Sequence, residues 1–404
     1  MVHVENITKR EKIICYILFI VSPIIGYLQI PARKSIVSLI FIIIFITYWT
    51  NSKTFKKIAL STPLKIWLGL TIFHCFNALS KHVPEVNILD LLHGLKIYAC
   101  ICIFYYWGTI NFSRTIKILV SCFTIYLLIS FIVCDFSGEE ANGRMTGVIY
   151  ATGLGQTAAI TCFYIAYYSY IKKFTTGKTL IYLLLPLIVI ILTQSRNSLA
   201  MFSICLIAII YCKLQTKITP QRLILIVIAS IMISYLIYLL VVNSSFGTRI
   251  IEKSIQHENS YQFENYSTGT IFDAIVGDRL IYYALGFSYF LQSPLTGIGM
   301  WNYEYVSNGN YPLHTEYMVH LCEGGIIAFI LWSSFIGYII FGIIKYIPKG
   351  SIKIIALFSI FQILFCAIYA RLFYSEFFYP IIGITLALIT TSKNYIILKQ
   401  NDKK

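Results

Sequence analysis

The amino-acid sequence predicts an all-α polytopic membrane protein of about twelve transmembrane helices, with one long outer loop that itself contains helix. Three observations carry this. The 404 residues are 58% hydrophobic and only 12% charged, with a mean hydropathy of +0.75. A soluble domain carries roughly twice that share of charge. Apolar stretches recur along the whole chain, separated by short polar segments. Lysine is concentrated in alternate segments, as the positive-inside rule requires of cytoplasmic loops.

The apolar spans cover residues 13–30, 35–49, 61–78, 88–107, 116–134, 147–170, 179–193, 197–212, 223–242, 316–345, 352–370 and 376–396. The first lacks a small-residue cleavage site and continues into Pro31-Ala32-Arg33-Lys34, so it reads as a retained span and not a removed signal peptide. Basic segments at Lys53–Lys57, Arg114, Lys172-Lys173, Lys213–Arg222, Lys345–Lys349 and the Lys403-Lys404 tail mark the inner side. Both termini are then cytoplasmic. The chain divides into residues 1–242 with helices one to nine, a loop over 243–315, and residues 316–404 with the last three helices and the tail. The +15 net charge is mostly inner lysine facing an anionic leaflet, not a nucleic-acid footprint. The eleven cysteines lie in or beside apolar spans with no CxxC pair, which favours packing over metal or disulfide chemistry.

Spans 179–193 and 197–212 are short. At about 1.5 Å per residue each reaches only roughly 22–24 Å, against a hydrocarbon core of about 30 Å. Their shared turn, Thr193-Gln194-Ser195-Arg196, is expected to dip below the outer surface. Polar backbone at that depth must be buried in protein or line a wet cavity; a plain hairpin with a snorkelling arginine is the alternative. The loop over 243–315 exceeds an ordinary connection and is acidic on balance. From Asp278, placed as N-cap, to Gln292 it reads as a helix lying against the outer mouth of the bundle.

The arginines break the charge pattern. Arg33, Arg144, Arg196, Arg249, Arg279 and Arg371 all fall on outer segments, where lysine is limited to Lys34, Lys81 and Lys253. A guanidinium fork suits phosphate and carboxylate, so an anionic ligand at the outer leaflet is expected. Arg144 precedes the sixth span, Arg196 opens the eighth, Arg279 lies in the first turn of the loop helix, and His314 precedes the tenth span. Helix N-termini favour anions in their own right. Each basic residue also has an ordinary reading: Arg144 balancing Glu139 and Glu140, Arg279 paired with a loop acid, Arg371 an interfacial anchor. An imidazole can take a proton from a hydroxyl near neutral pH. His314 is placed for that, and Glu316 either orients it or pairs with an arginine, whereas His320 reads as packing. Asp90, His93 and Lys96 share the outer half of the fourth span and either line the same cavity or satisfy one another.

At these residues the chain resembles the O-antigen ligase and polymerase superfamily. The resemblance rests on Gly143-Arg144-Met145-Thr146-Gly147, Leu192-Thr193-Gln194-Ser195-Arg196, Gly277-Asp278-Arg279-Leu280, Ser293-Pro294-Leu295-Thr296-Gly297-Ile298-Gly299, Leu313-His314-Thr315-Glu316 and Glu323-Gly324-Gly325. It is closest to the lipopolysaccharide O-antigen ligases of enteric bacteria, and departs from them at Thr315, where members often carry Asn. It implies a bacterial inner-membrane glycosyltransferase whose active site faces the periplasm, which makes 243–315 a periplasmic loop. The implied donor is O-antigen on undecaprenyl diphosphate and the implied acceptor lipid A–core. Carried over by motif, Arg196 and Arg279 bind the donor diphosphate and His314 acts on the acceptor hydroxyl, with Arg144, Glu316, Arg371 and Lys96 in support. No cofactor and no metal are expected. A polymerase extending lipid-linked repeat units is the alternative, and a polysaccharide transporter or flippase the less favoured one.

Overall fold

A computed structural model describes residues 2–21, 33–81, 88–136, 144–147, 149–214, 279–307, 313, 315–370, 372 and 377–401. These residues are helical almost throughout, and no strand occurs among them beyond one isolated bridge between Asp135 and Thr146. The expected span 223–242 and most of the 243–315 loop lie outside the described residues.

Helix α1, Val2–Tyr16, runs on through a π-helical turn, Ile17–Val21. It starts well before the apolar stretch at 13 because its polar turn has a partner: Glu11 is buried and ion-paired with Arg114 at 2.8 Å. Helix α2, Arg33–Asn51, is followed by the short α3, Lys53–Ala59, whose N-cap Ser52 accepts the Phe55 N–H. α4, Thr62–Ser80, starts with Pro63 in its first turn, where a missing N–H costs nothing, and meets α3 at 63°.

α5, Ile88–Ile132, takes in two of the expected spans. It breaks at Asn111, whose φ of −156° and ψ of 90° leave helical space and whose side chain caps the next turn by accepting the Arg114 N–H at 3.0 Å. The break is a reversal. The Phe19 ring lies 5.8 Å from Phe104 and 5.2 Å from Phe123, whereas a straight helix would hold those two residues roughly 28 Å apart. The separate spans 88–107 and 116–134 are thus the two arms of one hairpin. α6, Ala151–Ile171, α7, Thr176–Thr193, and α8, Arg196–Leu214, follow the expected order. α9, Arg279–Gln292, is the expected loop helix, and the short α10 covers Asn302–Val306. α11, Glu316–Met318, passes through a π-helical turn, Val319–Glu323, into α12, Gly324–Tyr346. α13, Ser351–Tyr369, and α14, Tyr379–Asn401, complete the chain.

By length and composition, five helical stretches among the described residues can cross a membrane: Gly94–Ile132, which the reversal at Asn111 divides into two arms, Thr176–Thr193, Glu316–Tyr346, Ser351–Ile368 and Tyr379–Leu398. The bent pair α3–α4 makes a sixth. Phe76, Ile132, Ile181 and Leu398 are each more than 60% exposed, the apolar surface a lipid environment accepts. Cys15, Cys100, Cys102, Cys122, Cys162, Cys205, Cys322 and Cys366 are buried, as packing residues are.

The centre of the bundle is α14 laid along α5, with α2 and α6 flanking α5, α4 against α12, and α8 against α13. Without a hydrophobic driving force between helices in lipid, close approach relies on small residues. A Cβ at Gly383 of α14 would stand 2.8 Å from the Ile101 carbonyl oxygen, and one at Gly108 of α5 would stand 2.6 Å from Ala387 Cβ. Gly383→Val is therefore expected to lower thermal stability in detergent by about 1–3 kcal/mol. Gly69→Ala, with nothing within 4 Å of its new Cβ, is expected to raise it by up to about 1 kcal/mol. Equal melting temperatures for the two variants would refute this packing.

Candidate active site

The turn between α7 and α8 is held from the side by the first motif segment. α7 ends with Gln194 in the left-handed region, φ 53°. The Met145 N–H donates to Leu192 O at 2.9 Å, and Arg144 Nε donates to Thr193 O at 2.9 Å while its Nη2 donates to Thr152 Oγ1 at 3.2 Å. Thr193, Ser195 and Ser198 are buried, with Ser198 Oγ donating to Ser195 Oγ at 2.7 Å. Gly155 of α6 makes room for them: a Cβ there would lie 2.7 Å from both Ser198 Oγ and Thr193 Oγ1. The polar turn is thus enclosed by protein, which is how such backbone is tolerated at membrane depth. Arg144 closes a helix end here; Glu139 and Glu140 lie outside the described residues.

Three motif-bearing segments converge on the last turn of α13. The Thr315 hydroxyl donates to Ala367 O at 3.2 Å. Tyr283 of α9 shares its hydroxyl proton between Thr315 Oγ1 at 3.1 Å and Ile368 O at 3.0 Å. Asn197 of α8 reaches Cys366 Sγ at 3.8 Å. Thr315 follows His314, Tyr283 lies one helical turn beyond Arg279, Asn197 follows Arg196, and Arg371 comes just after α13. Arg196 and Arg279 are the first residues of α8 and α9, the helix-start positions expected of them from the sequence. The side chains of Arg196 and Arg279, and His314 and Arg371 altogether, lie outside the described residues, as do those of Asp90 and His93. Lys96 is described and is buried in α5.

The segment after α9 is locked onto the α11–α12 junction through backbone. The Ile298 N–H donates to Cys322 O and the Gly299 N–H to Glu323 O, each at 3.0 Å, and the Ile326 N–H donates to Pro294 O at 2.9 Å. Asn77 of α4 adds its amide N–H groups, to Thr296 O at 2.6 Å and Glu323 O at 2.9 Å. Gly325 has φ 65° and ψ −168°, and a Cβ there would stand 2.4 Å from Leu295 O, so only glycine fits. The Ser293–Gly299 and Glu323–Gly325 motifs are therefore structural locks that hold α9 against the start of α12.

Beneath that lock lies a polar chain that sequence reasoning did not find. Glu316 Oε1 is 3.2 Å from His320 Nε2, and His320 Nδ1 is 3.1 Å from His74 Nε2. His320 stacks on Trp332, ring centroids 5.4 Å apart. The expected packing role of His320 is thus half of the matter; it also joins Glu316 to α4. One signal was present: an ionisable residue, His74, within an apolar span is a functional candidate by default.

Residues 181–333 match the O-Antigen ligase family. No curated protein matches the chain. Several helices are long and apolar enough to cross a membrane, the mark of a multi-pass membrane protein. The match agrees with the resemblance to the O-antigen ligase/polymerase superfamily that the motifs carry. The matched stretch holds Arg196, Arg279, His314 and Glu316; Lys96, Arg144 and Arg371 fall outside it.

The Thr315 junction is open to a double-mutant cycle. Thr315→Val removes both of its hydrogen bonds and is expected to cost about 1–3 kcal/mol, and Tyr283→Phe about 1 kcal/mol. Because the two share a bond, the double variant should fall short of the sum. Strict additivity in denaturant unfolding would show that the two groups do not couple.

Proposed function

We propose that the protein is an O-antigen ligase. It transfers O-antigen polysaccharide from undecaprenyl diphosphate to lipid A–core at the periplasmic face of the bacterial inner membrane. The observation that carries this reading is the convergence of the Arg196, Arg279 and His314 segments on the last turn of α13. Two helix N-termini opened by arginine, beside a histidine segment, suit a diphosphate and a hydroxyl brought together.

In the reaction, the bond between the anomeric carbon and the diphosphate oxygen breaks, and the electron pair leaves with the lipid diphosphate. Arg196 and Arg279 hold that growing negative charge, as fixed cations do without a metal or nucleotide cofactor. The acceptor oxygen bonds to the anomeric carbon, and its proton passes to the His314 imidazole. Arg144 shapes the turn that carries Arg196, while Arg371 and Lys96 add positive charge around the donor. The lipid-linked glycan, the lipid A–core acceptor and membrane lipids are the partners of this reading.

A polymerase would use the same donor and the same charges, so the two differ only in acceptor. The lipopolysaccharide of a deletion strain separates them. Loss of every O-chain from the core, with lipid-linked polymer accumulating, is expected for a ligase; a single repeat unit still on the core would identify a polymerase. A transporter or flippase would be indicated if His314→Ala left transfer intact while glycan movement stopped. Arg279→Lys keeps the charge and loses the two-pronged fork. It should slow transfer clearly, with full activity arguing against diphosphate recognition. His314→Ala should lower transfer roughly a hundredfold or more while donor binding persists.

A further inference from the structure

We propose that Glu316, His320 and His74 work as one proton-sharing chain that positions the His314 segment, with His74 a positioning residue supplied by α4. The role in transfer rests on the function proposed above; the chain itself does not.

All three groups are at most 2% exposed, inside helices that the composition assigns to the membrane. Ionisable side chains there are costly unless they satisfy one another. Their geometry allows two arrangements that keep both bonds of the chain. When His320 is neutral, its Nε2–H donates to the Glu316 carboxylate and its Nδ1 accepts from His74 Nε2–H. With one more proton, His320 donates at both nitrogens, to Glu316 and to His74 Nε2. Neither arrangement breaks a hydrogen bond. The chain can therefore gain or lose a proton while the elements it joins stay in place.

Those elements matter. Glu316 opens α11, two residues after His314, and its neighbour Thr315 is tied to α13. His320 lies in the π-helical turn whose Cys322 and Glu323 carbonyls hold the segment after α9. The His74 ring fits against Gly324, where a Cβ would stand 2.7 Å from His74 Cε1. His74 thus links α4, outside the matched 181–333 stretch, to the segment that carries the candidate base. The three groups lie in a line and not around a common point, which is a hydrogen-bond relay and not a ligand shell.

Other titratable groups on the packed elements include Cys75 of α4, Lys96 and Cys100 of α5, Tyr283 of α9, Tyr317 of α11, Cys322 and Glu323 of the π-helical turn and Tyr379 of α14. Thiols and phenols do not ordinarily ionise near neutral pH. Lys96 and Glu323 are the lysine and the carboxylate that these elements add beside the chain.

Two measurements on the full chain in lipid nanodiscs decide the matter. In histidine-labelled protein, the His74 and His320 ring ¹⁵N signals should titrate together, and Glu316→Gln should move both. Independent titration, untouched by Glu316→Gln, would overturn the chain whatever the protein transfers. In a transfer assay, His74→Gln preserves size and hydrogen bonding but cannot hold the proton. It should lower kcat about tenfold and reshape the pH profile, with the donor KM and the melting temperature close to wild type. An unchanged kcat and profile would overturn the positioning role. A wild-type chain without transfer activity would count against the proposed function, and so against that role, and leave the coupling to stand on the ¹⁵N titration.

Discussion

Carbonyl groups released where helices end or break are the constraint on which the candidate site depends. A helix leaves its last carbonyls without partners, and a bilayer interior offers no water to fill them. In this protein the motif segments do so. Leu192 O and Thr193 O at the end of α7 are taken by Met145 and Arg144. Ala367 O and Ile368 O at the end of α13 are taken by Thr315 and Tyr283. Cys322 O and Glu323 O, loosened by the π-helical turn, are taken by Ile298, Gly299 and Asn77. The segments that the resemblance picked out are, to a large extent, the segments that close helix ends.

This gives the site its rigidity without regular structure. Each candidate group stands next to a residue that is bonded to a helix terminus: Arg196 beside Asn197, His314 beside Thr315, Arg279 one turn from Tyr283. In the proposed reaction, holding donor diphosphate and acceptor hydroxyl in register is most of what the protein must supply. Guanidinium groups then suit the outer face better than ammonium groups, because a planar fork matches the oxygens it faces. Glycine has a part at the site as well, at two of the places where a larger residue does not fit. Gly325 adopts a backbone conformation closed to other residues, and Gly155 lets the polar turn press against α6.

Much of the fold was legible in the sequence. Hydropathy and lysine placement found the long apolar helices that the structure describes, including both arms of the α5 hairpin, because a membrane demands long apolar runs and marks their ends with charge; the short α3 and α10 were not found. The helix from Arg279 was legible from its apolar spacing; Asp278, expected as its cap, lies outside the described residues. The start of α1 was not. Its polar turn reads as a tail until Arg114, a hundred residues away, is seen to neutralise Glu11. The site was half legible. Motifs pointed to Arg144, Arg196, Arg279 and His314, yet the partners of Glu316 could not be read from its neighbours.

What the sequence alone determined is the class of protein and the kinds of group its motifs carry. Composition and charge asymmetry are summed properties, and they need no coordinates. Tertiary structure decided which of those groups meet. His74 and His320 lie 246 positions apart in the chain, and no local pattern pairs them. Their contact follows from α4 packing on α12, which in turn follows from Asn77 and Gly324 allowing the two helices close. Long-range pairing of buried polar groups is set by packing, and packing is the one thing a linear pattern does not contain.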